Sequence, residues 1–316
     1  MTLGRTRQSE IRNPKSKMNA GIPFTKMVAA GNDFVLVDTV HHRLPGLQRR
    51  WASVARAICD RHAGIGADGL LVLEPSRVAD ARMRIFNPDG SEAEMCGNGA
   101  RCAARLVRDW SNGHTNAGHA IKRAQGVRLA TAAGIIGAAF AGERVRMRMP
   151  EPTGLRKQLT ITVRGRTLRA GFINTGVPHL VVPVRGLNTV DVEGLGRALR
   201  THRMFRPRGT NVDFVESAGP RAARVRIRTY ERGVEAETLA CGTGVTAAGA
   251  LHALGQPGPA GAVRRVSVQT RSGDVLTVSC RIDGRGDATR VRNVVLEGPV
   301  QRICEGAAVW PRGGRR

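Results

Sequence analysis

Two stretches of this chain are copies of one pattern, and that repetition constrains the fold more than any other feature. Gly90-Ser91-Glu92-Ala93-Glu94-Met95-Cys96-Gly97-Asn98-Gly99 parallels Gly233-Val234-Glu235-Ala236-Glu237-Thr238-Leu239-Ala240-Cys241-Gly242-Thr243-Gly244, with two extra residues before the second cysteine. Before each copy, apolar and basic residues alternate, in Arg82-Met83-Arg84-Ile85-Phe86 and in Val225-Arg226-Ile227-Arg228-Thr229-Tyr230, which predicts half-buried strands. After each copy comes a run rich in small apolar residues, through Ala100, Cys102, Ala103, Ala104, Leu106 and Val107, and through Val245, Ala247, Ala248, Ala250, Leu251, Ala253 and Leu254 to Gly255 and Pro257. These runs predict helices, and being apolar on most sides they predict enclosed ones.

The paired cysteines stand 145 residues apart in a chain of 316, so the chain divides into two similar halves about a pseudo-two-fold axis. The strand-like Arg144-Val145-Arg146-Met147-Arg148-Met149 runs into Pro150-Glu151-Pro152-Thr153-Gly154, a strong breaker, which sets the boundary. The expected organisation is a flexible basic extension over 1–22, an N-terminal domain over 23–150 and a C-terminal domain over 151–297. A cleft between such halves is where a small ligand would bind. Met18 lies just before the first patterned segment, so an over-extended start codon is an explanation for the extension, one that N-terminal sequencing of the native protein tests.

Composition narrows the function classes. Fifty basic against twenty-five acidic side chains give a formal charge of +25, which taken alone suggests nucleic acid. The Arg residues are scattered through every predicted element, however, and aromatics are only 3% of the chain, so base-stacking platforms are lacking. A nucleic-acid partner is not expected. Six cysteines spread over a long chain, without a secretory signal or any C-x-x-C, fit free cytoplasmic thiols better than a disulfide scaffold or a zinc site. No metal is expected. The longest nearly apolar stretch, 132–142, is about half what a membrane span needs.

A cysteine at a helix start sits where unpaired amides and the positive end of the dipole favour a thiolate, so its pKa is expected to be lowered. The glycines around it let the backbone turn and present N–H groups to a carboxylate. One such loop would read as a corner with a small buried hydrophobe; two, with the cysteine at the same place relative to a helix, point to function. Two thiols facing each other across a ligand suit inversion of a carbon acid: one thiolate removes the Cα proton while the opposite thiol delivers another. Amides at two helix N-termini would stabilise the carboxylate as it takes on enolate character. No pyridoxal site is evident, so no cofactor is expected.

At these residues the chain resembles the diaminopimelate epimerase family over nearly its whole length. The matching blocks are Lys26-Met27 with Gly31-Asn32-Asp33-Phe34, Asp60-Arg61 with Gly64-Ile65-Gly66-Ala67-Asp68-Gly69, Phe86-Asn87-Pro88-Asp89-Gly90-Ser91, Met95 to Arg101, Gly176-Val177-Pro178-His179, Gly209 to Phe214, and Tyr230-Glu231-Arg232-Gly233 running to Gly244. The resemblance implies an α+β fold of two pseudo-symmetric domains, each a mixed, barrel-like sheet wrapped around a central helix, with a strand at about 298–306 returning to the N-terminal domain. It also implies a cytoplasmic homodimer converting LL-2,6-diaminopimelate to the meso form for lysine and peptidoglycan precursors. In that scheme Cys96 and Cys241 are the acid/base pair, and Gly97, Asn98, Gly242 and Thr243 bind the reacting end of the substrate. Asn32, Asn87, Asn211, Glu231 and Arg232 hold the remainder, and His179 tunes one thiol. Without the resemblance, the Asn32 and Asn87 contexts would read as turns, Arg232 as one more solvated arginine, and His179 as a loop residue.

Three departures bear on the substrate more than on the chemistry. Val177 stands where many family members have Asn, the run from Glu231 to Cys241 is one residue longer than the commonest form, and Val-Ala-Ala follows Lys26-Met27 where His-Gly-Leu is common. The competing readings are a racemase of histidine, proline or hydroxyproline with the same two thiols, Asn98 weighing against the proline group, and a non-catalytic basic binding protein of the same fold.

Overall fold

The computed structural model describes residues 21–110, 126–217, 219 and 222–309, so residues 1–20 of the expected extension lie outside the described residues. Ile22, which the sequence reading placed in that extension, opens a strand and is buried.

The first half contains β1 (Ile22–Ala29), β2 (Asn32–Asp38), α1 (Trp51–Ile58), β3 (Gly69–Glu74), β4 (Ala81–Phe86), β5 (Glu92–Ala93), α2 (Gly97–Asp109), β6 (Val127–Thr131), β7 (Gly134–Ala141) and β8 (Arg144–Arg148). The nearly apolar stretch at 132–142 is thus a hairpin strand, whose glycines and alanines lie in a sheet. After a break of only four residues, β9 (Thr153–Val163) begins the second half, followed by β10 (Arg166–Asn174), β11 (Pro178–Pro183), α3 (Val192–Arg200), β12 (Asn211–Ser217), β13 (Arg224–Glu231) and β14 (Ala236–Thr238). Then come α4 (Gly242–Leu254), β15 (Val263–Gln269), β16 (Val275–Asp283), β17 (Arg290–Pro299) and β18 (Gln301–Ala308).

The two halves repeat one wiring scheme. β1 and β2 are antiparallel, β2 lies parallel to β3, β3 is antiparallel to β4, and β4 lies parallel to β6, which leads into the β6-β7-β8 meander. β10, β11, β12, β13, β15, β16 and β17 pair in the same senses and order. Every parallel connection carries a helix across, α1 and α3 on the first of each half and α2 and α4 on the second, as the geometry of parallel pairing requires. The last strand, β18, returns to pair with β1, as β9 pairs with β10.

Within each half the sheet closes around one helix. Ala100, Ala103, Ala104 and Val107 of α2 pack against Met27, Phe34, Leu71, Met83, Leu129 and Met147. Val245, Ala247, Ala248 and Ala250 of α4 do the same against Ile173, Val181, Ile227, Val266, Val278 and Leu296. The small residues are a packing requirement: a Cβ on Gly249 would lie 2.6 Å from the Val278 Cβ. Smaller cores beneath α1 and α3 cover the outer faces of the sheets.

The halves join at two places. β8 of the first pairs antiparallel with β17 of the second, where Glu297 takes ion pairs from Arg144 and Arg146 at 2.7 Å each. The tip of the β1-β2 hairpin also leans on the second half. Gly31 there, at φ +85°, has no room for a side chain, because a Cβ would lie 2.7 Å from that of Ser272. Its neighbour Ala30 is buried within the α4 core.

Candidate active site

Both repeated cysteines cap a central helix. Cys96 is the N-cap of α2 with extended backbone (φ −139°, ψ 121°), and its Sγ accepts from the Gly99 amide at 3.5 Å. Cys241 is the N-cap of α4 with similar backbone (φ −113°, ψ 115°), and its Sγ lies 3.3 Å from the Thr243 Oγ1. The two helix starts abut: a Cβ on Gly242 would lie 3.5 Å from the Asn98 Oδ1 and 4.0 Å from the Gly97 Cα. Two glycine-bearing helix N-termini, each led by a thiol, therefore meet between the halves, and their first amides are without partners in their own helices.

Burial overturns one expectation from the sequence. The thiols were expected below the ordinary range, and both lie above it. For Cys96, burial pushes the pKa up against the amides of Gly99 and Asn98, which pull it down. For Cys241, burial is joined by the charges of Glu231 and Asp213, and the thiol is held well above its usual value despite Thr243 and the Gly244 amide. The magnitudes explain the outcome. A helix terminus contributes at most about 2 kcal/mol, or about 1.5 pKa units, whereas full burial of a charge shifts a pKa by about 3–5 units.

Asn98 is buried and sits between Asn32, to which its Nδ2 donates, and Arg101, whose Nη2 donates to its Oδ1 at 2.9 Å. Asn32 in turn donates to Asp68 Oδ2 at 3.0 Å, and Asp68 is tied to Asp33 through Arg61. In the second half, Thr243 Oγ1 lies 2.9 Å from His179 Nε2, and His179 Nδ1 lies 2.7 Å from Asp213 Oδ2, both side chains being fully buried. His179 thus reaches Cys241 through the Thr243 hydroxyl. Thr229 Oγ1 completes the chain by donating to Asp213 Oδ1 at 2.8 Å.

Glu231 closes β13, and its charge is felt by both thiols. Burial raises its own pKa. Asn211 is buried and fastens this end, donating to the Pro178 carbonyl at 2.9 Å and accepting from the Arg232 amide at 2.8 Å. The Arg232 guanidinium touches the Arg208 carbonyl at 3.4 Å, and no carboxylate among the described residues pairs with it. Asn87 stands apart: it is exposed, and its side chain donates to Ser91 at 2.9 Å within the turn that Gly90 makes at φ +84°.

Asp213 and Arg101 carry no role in the sequence reading, although both fall inside blocks singled out there. An aspartate amid the apolar run of β12 and an arginine within the small-residue run of α2 were the available signals. Cys59, Cys102 and Cys280 are buried free thiols in the cores, and Cys304 is exposed on β18.

A family model described as diaminopimelate epimerase matches residues 24–150 and 171–303. Among curated proteins, the diaminopimelate epimerase of Aquifex aeolicus is 40% identical over 293 residues, covering 90% of this chain and 96% of the relative. That of Archaeoglobus fulgidus is 40% identical over 291 residues, covering 87% and 96%. Among solved structures, a phenazine biosynthesis protein of the PhzF family from Bacillus anthracis superposes with a TM-score of 0.64 at 17% identity, covering 92% of this chain and 99% of that one. A probable proline racemase from Agrobacterium radiobacter K84 superposes at 0.63 with 17% identity, covering 92% and 93%. At such identity these two share the fold alone.

Proposed function

The chain belongs to the diaminopimelate epimerase family, and on that premise we propose how its cleft converts LL-2,6-diaminopimelate to the meso form. The observation that carries the reading is the meeting of two thiol-capped helix starts between the halves. The substrate's α-carboxylate lies across the amides of Gly97, Asn98, Gly242 and Thr243, where two helix termini stabilise the negative charge that builds as the Cα proton leaves. One thiolate takes that proton; the other thiol, on the opposite face, gives its own to Cα. The two exchange protonation states, so the same pair runs the reverse reaction.

Enclosure of the sulfurs, Cys241 buried and Cys96 partly so, serves this chemistry. A desolvated thiolate is a stronger base than one in water, and removal of an amino acid Cα proton needs a strong base. Glu231, whose charge is felt by both thiols, pairs with the α-ammonium. Arg232, with no carboxylate partner among the described residues, takes the distal carboxylate in a bidentate grip, and Asn32, Asn87 and Asn211 complete the distal contacts. Val177 leaves that end with one amide fewer. We infer a cytoplasmic reaction in lysine and peptidoglycan-precursor synthesis, which six free cysteines, suited to a reducing compartment, support.

The test is solvent deuterium incorporation at Cα, followed by NMR with LL-diaminopimelate, proline and histidine, for wild type, Cys96→Ser and Cys241→Ser under reducing conditions. Exchange with diaminopimelate alone, abolished or severely reduced in both variants, is expected. Exchange with another amino acid would move the substrate, and no exchange with any would refute the two-thiol chemistry.

A further inference from the structure

The two halves superimpose in wiring but differ beneath the thiols. Equivalent strand registers set Phe34 and Leu71 of the first half against His179 and Asp213 of the second. The helix glycines show the same correspondence: a Cβ on Gly99 would meet the Leu71 side chain at 3.2 Å, and one on Gly244 would meet Asp213 Oδ1 at 2.5 Å and His179 Cε1 at 3.3 Å. Thr243 is therefore held from the sheet by the His179–Asp213 pair. Asn98, its counterpart, has an apolar sheet beneath it and is held by Arg101 of its own helix. At the position equivalent to Arg101, Thr246 donates to the Gly242 carbonyl.

Arg101 is fully buried, alone among the described arginines and lysines. Its Nη2 donates to Asn98, while Nε and Nη1 have no hydrogen-bond partner, and no described carboxylate lies in ion-pair contact with it. A buried guanidinium without a carboxylate is costly, and proteins retain such a charge where an anion answers it. The charged groups that reach Cys96 are Glu231, from the end of β13, and Arg101; Cys102 is the other thiol that feels Arg101, and Asp274 and Arg144 act on Arg101 in opposite directions. Those that reach Cys241 are Glu231 and Asp213, with His179 standing behind Thr243. Both thiols thus share one carboxylate and differ in the next neighbour, a cation for Cys96 and an anion for Cys241.

We propose that Arg101 is a positioning residue: its guanidinium fixes the Asn98 amide at the carboxylate end of the cleft, and its buried charge makes Cys96 the sulfur that ionises first, Cys241 keeping its proton longer. The pseudo-symmetric pair therefore starts each cycle from one preferred protonation state. The Asn98 role rests on the reaction proposed above; the charge asymmetry is a property of the unliganded chain and can be read without substrate.

The experiment is peptide-resolved mass spectrometry of iodoacetamide alkylation at Cys96 and Cys241, without substrate, from about pH 6 to about pH 11, on wild type, Arg101→Gln and Arg101→Lys, with kcat and KM for diaminopimelate measured alongside. In wild type the Cys96 midpoint is expected about one pH unit or more below that of Cys241, and Arg101→Gln should raise the Cys96 midpoint by a similar amount while leaving Cys241 in place. Arg101→Lys keeps the charge but loses the fork, so the Cys96 midpoint should hold while kcat/KM falls about tenfold or more. Coincident midpoints in wild type, or an Arg101→Gln profile that overlays the wild type, would overturn the charge assignment. If circular dichroism shows Arg101→Gln unfolded, Arg101→Lys decides: an unchanged kcat/KM refutes the positioning of Asn98. A chain that turns over no diaminopimelate yet shows the split in midpoints refutes the reaction and supports the charge assignment.

Discussion

Replacing Thr243 by Val removes one oxygen and keeps the shape, so it isolates the link between His179 and Cys241. The Thr243 hydroxyl stands 2.9 Å from His179 Nε2 and 3.3 Å from Cys241 Sγ, and His179 and Asp213 have fully buried side chains. With Nδ1 donating to Asp213, Nε2 accepts the hydroxyl proton while Cys241 is a thiol donating to the hydroxyl oxygen, and the same proton turns to Sγ when Cys241 is a thiolate. Valine leaves the ring nitrogen facing a methyl group with water excluded, and an unsatisfied buried polar group costs about 1–3 kcal/mol. Loss of the hydroxyl from the thiol removes a charge-assisted contact to the thiolate, about 1.5–3 kcal/mol, so kcat should fall by roughly 10- to 100-fold. Thr243→Ser, which keeps the hydroxyl, should retain most activity and stability. The assay is urea-induced unfolding with kcat in both directions for the three proteins. Wild-type stability and kcat in Thr243→Val, or equal damage in Val and Ser, would refute the relay.

Gly244→Ala should be the harsher of two equivalent substitutions, since its Cβ would meet the fixed Asp213 carboxylate at 2.5 Å, whereas Gly99→Ala meets a Leu71 methyl at 3.2 Å. A loss of about 1–3 kcal/mol and most activity for Gly244→Ala, against a milder effect for Gly99→Ala, is the expected outcome in parallel denaturant titrations, and equal effects would contradict it. For Asp33, burial raises the pKa, but the hydrogen bonds and charges of Arg61 and Lys26 outweigh it and bring the carboxyl down to about 2. A depressed pKa means that this group stabilises the fold above the unfolded carboxyl value, near pH 4, and that the contribution fades as pH falls toward 2. After screening at this partly open site, that is about 1–2 kcal/mol. Asp33→Asn should lower the urea midpoint at pH 7 and converge on wild type near pH 2; a gap that stays constant with pH would show that charge is not the cause.

The sequence by itself determined the repeat, the strand-loop-helix order of each copy and the pairing of Cys96 with Cys241, because these are local: periodicity and glycine spacing fix which segments form strands and helices wherever they end up. The small residues of α2 and α4 likewise announced helices closely packed on all sides. Family resemblance added the substrate-binding roles and the wrapped-sheet architecture, which no pattern of periods could supply. Ionisation of the thiols went the other way from the local reading. A cysteine at a helix start looks activated in one dimension, but burial is set by everything that closes over it, and here burial outweighs the dipole. The supports beneath each helix start were equally invisible, since Asp213 meets His179 through parallel pairing of strands more than thirty residues apart, and Arg101 is an unremarked arginine until an enclosing sheet removes its water and its counter-ions. Local pattern fixed where the reacting sulfurs stand; only the tertiary enclosure decided which charges face them, because electrostatic strength depends on what surrounds a charge and not on its place in the chain.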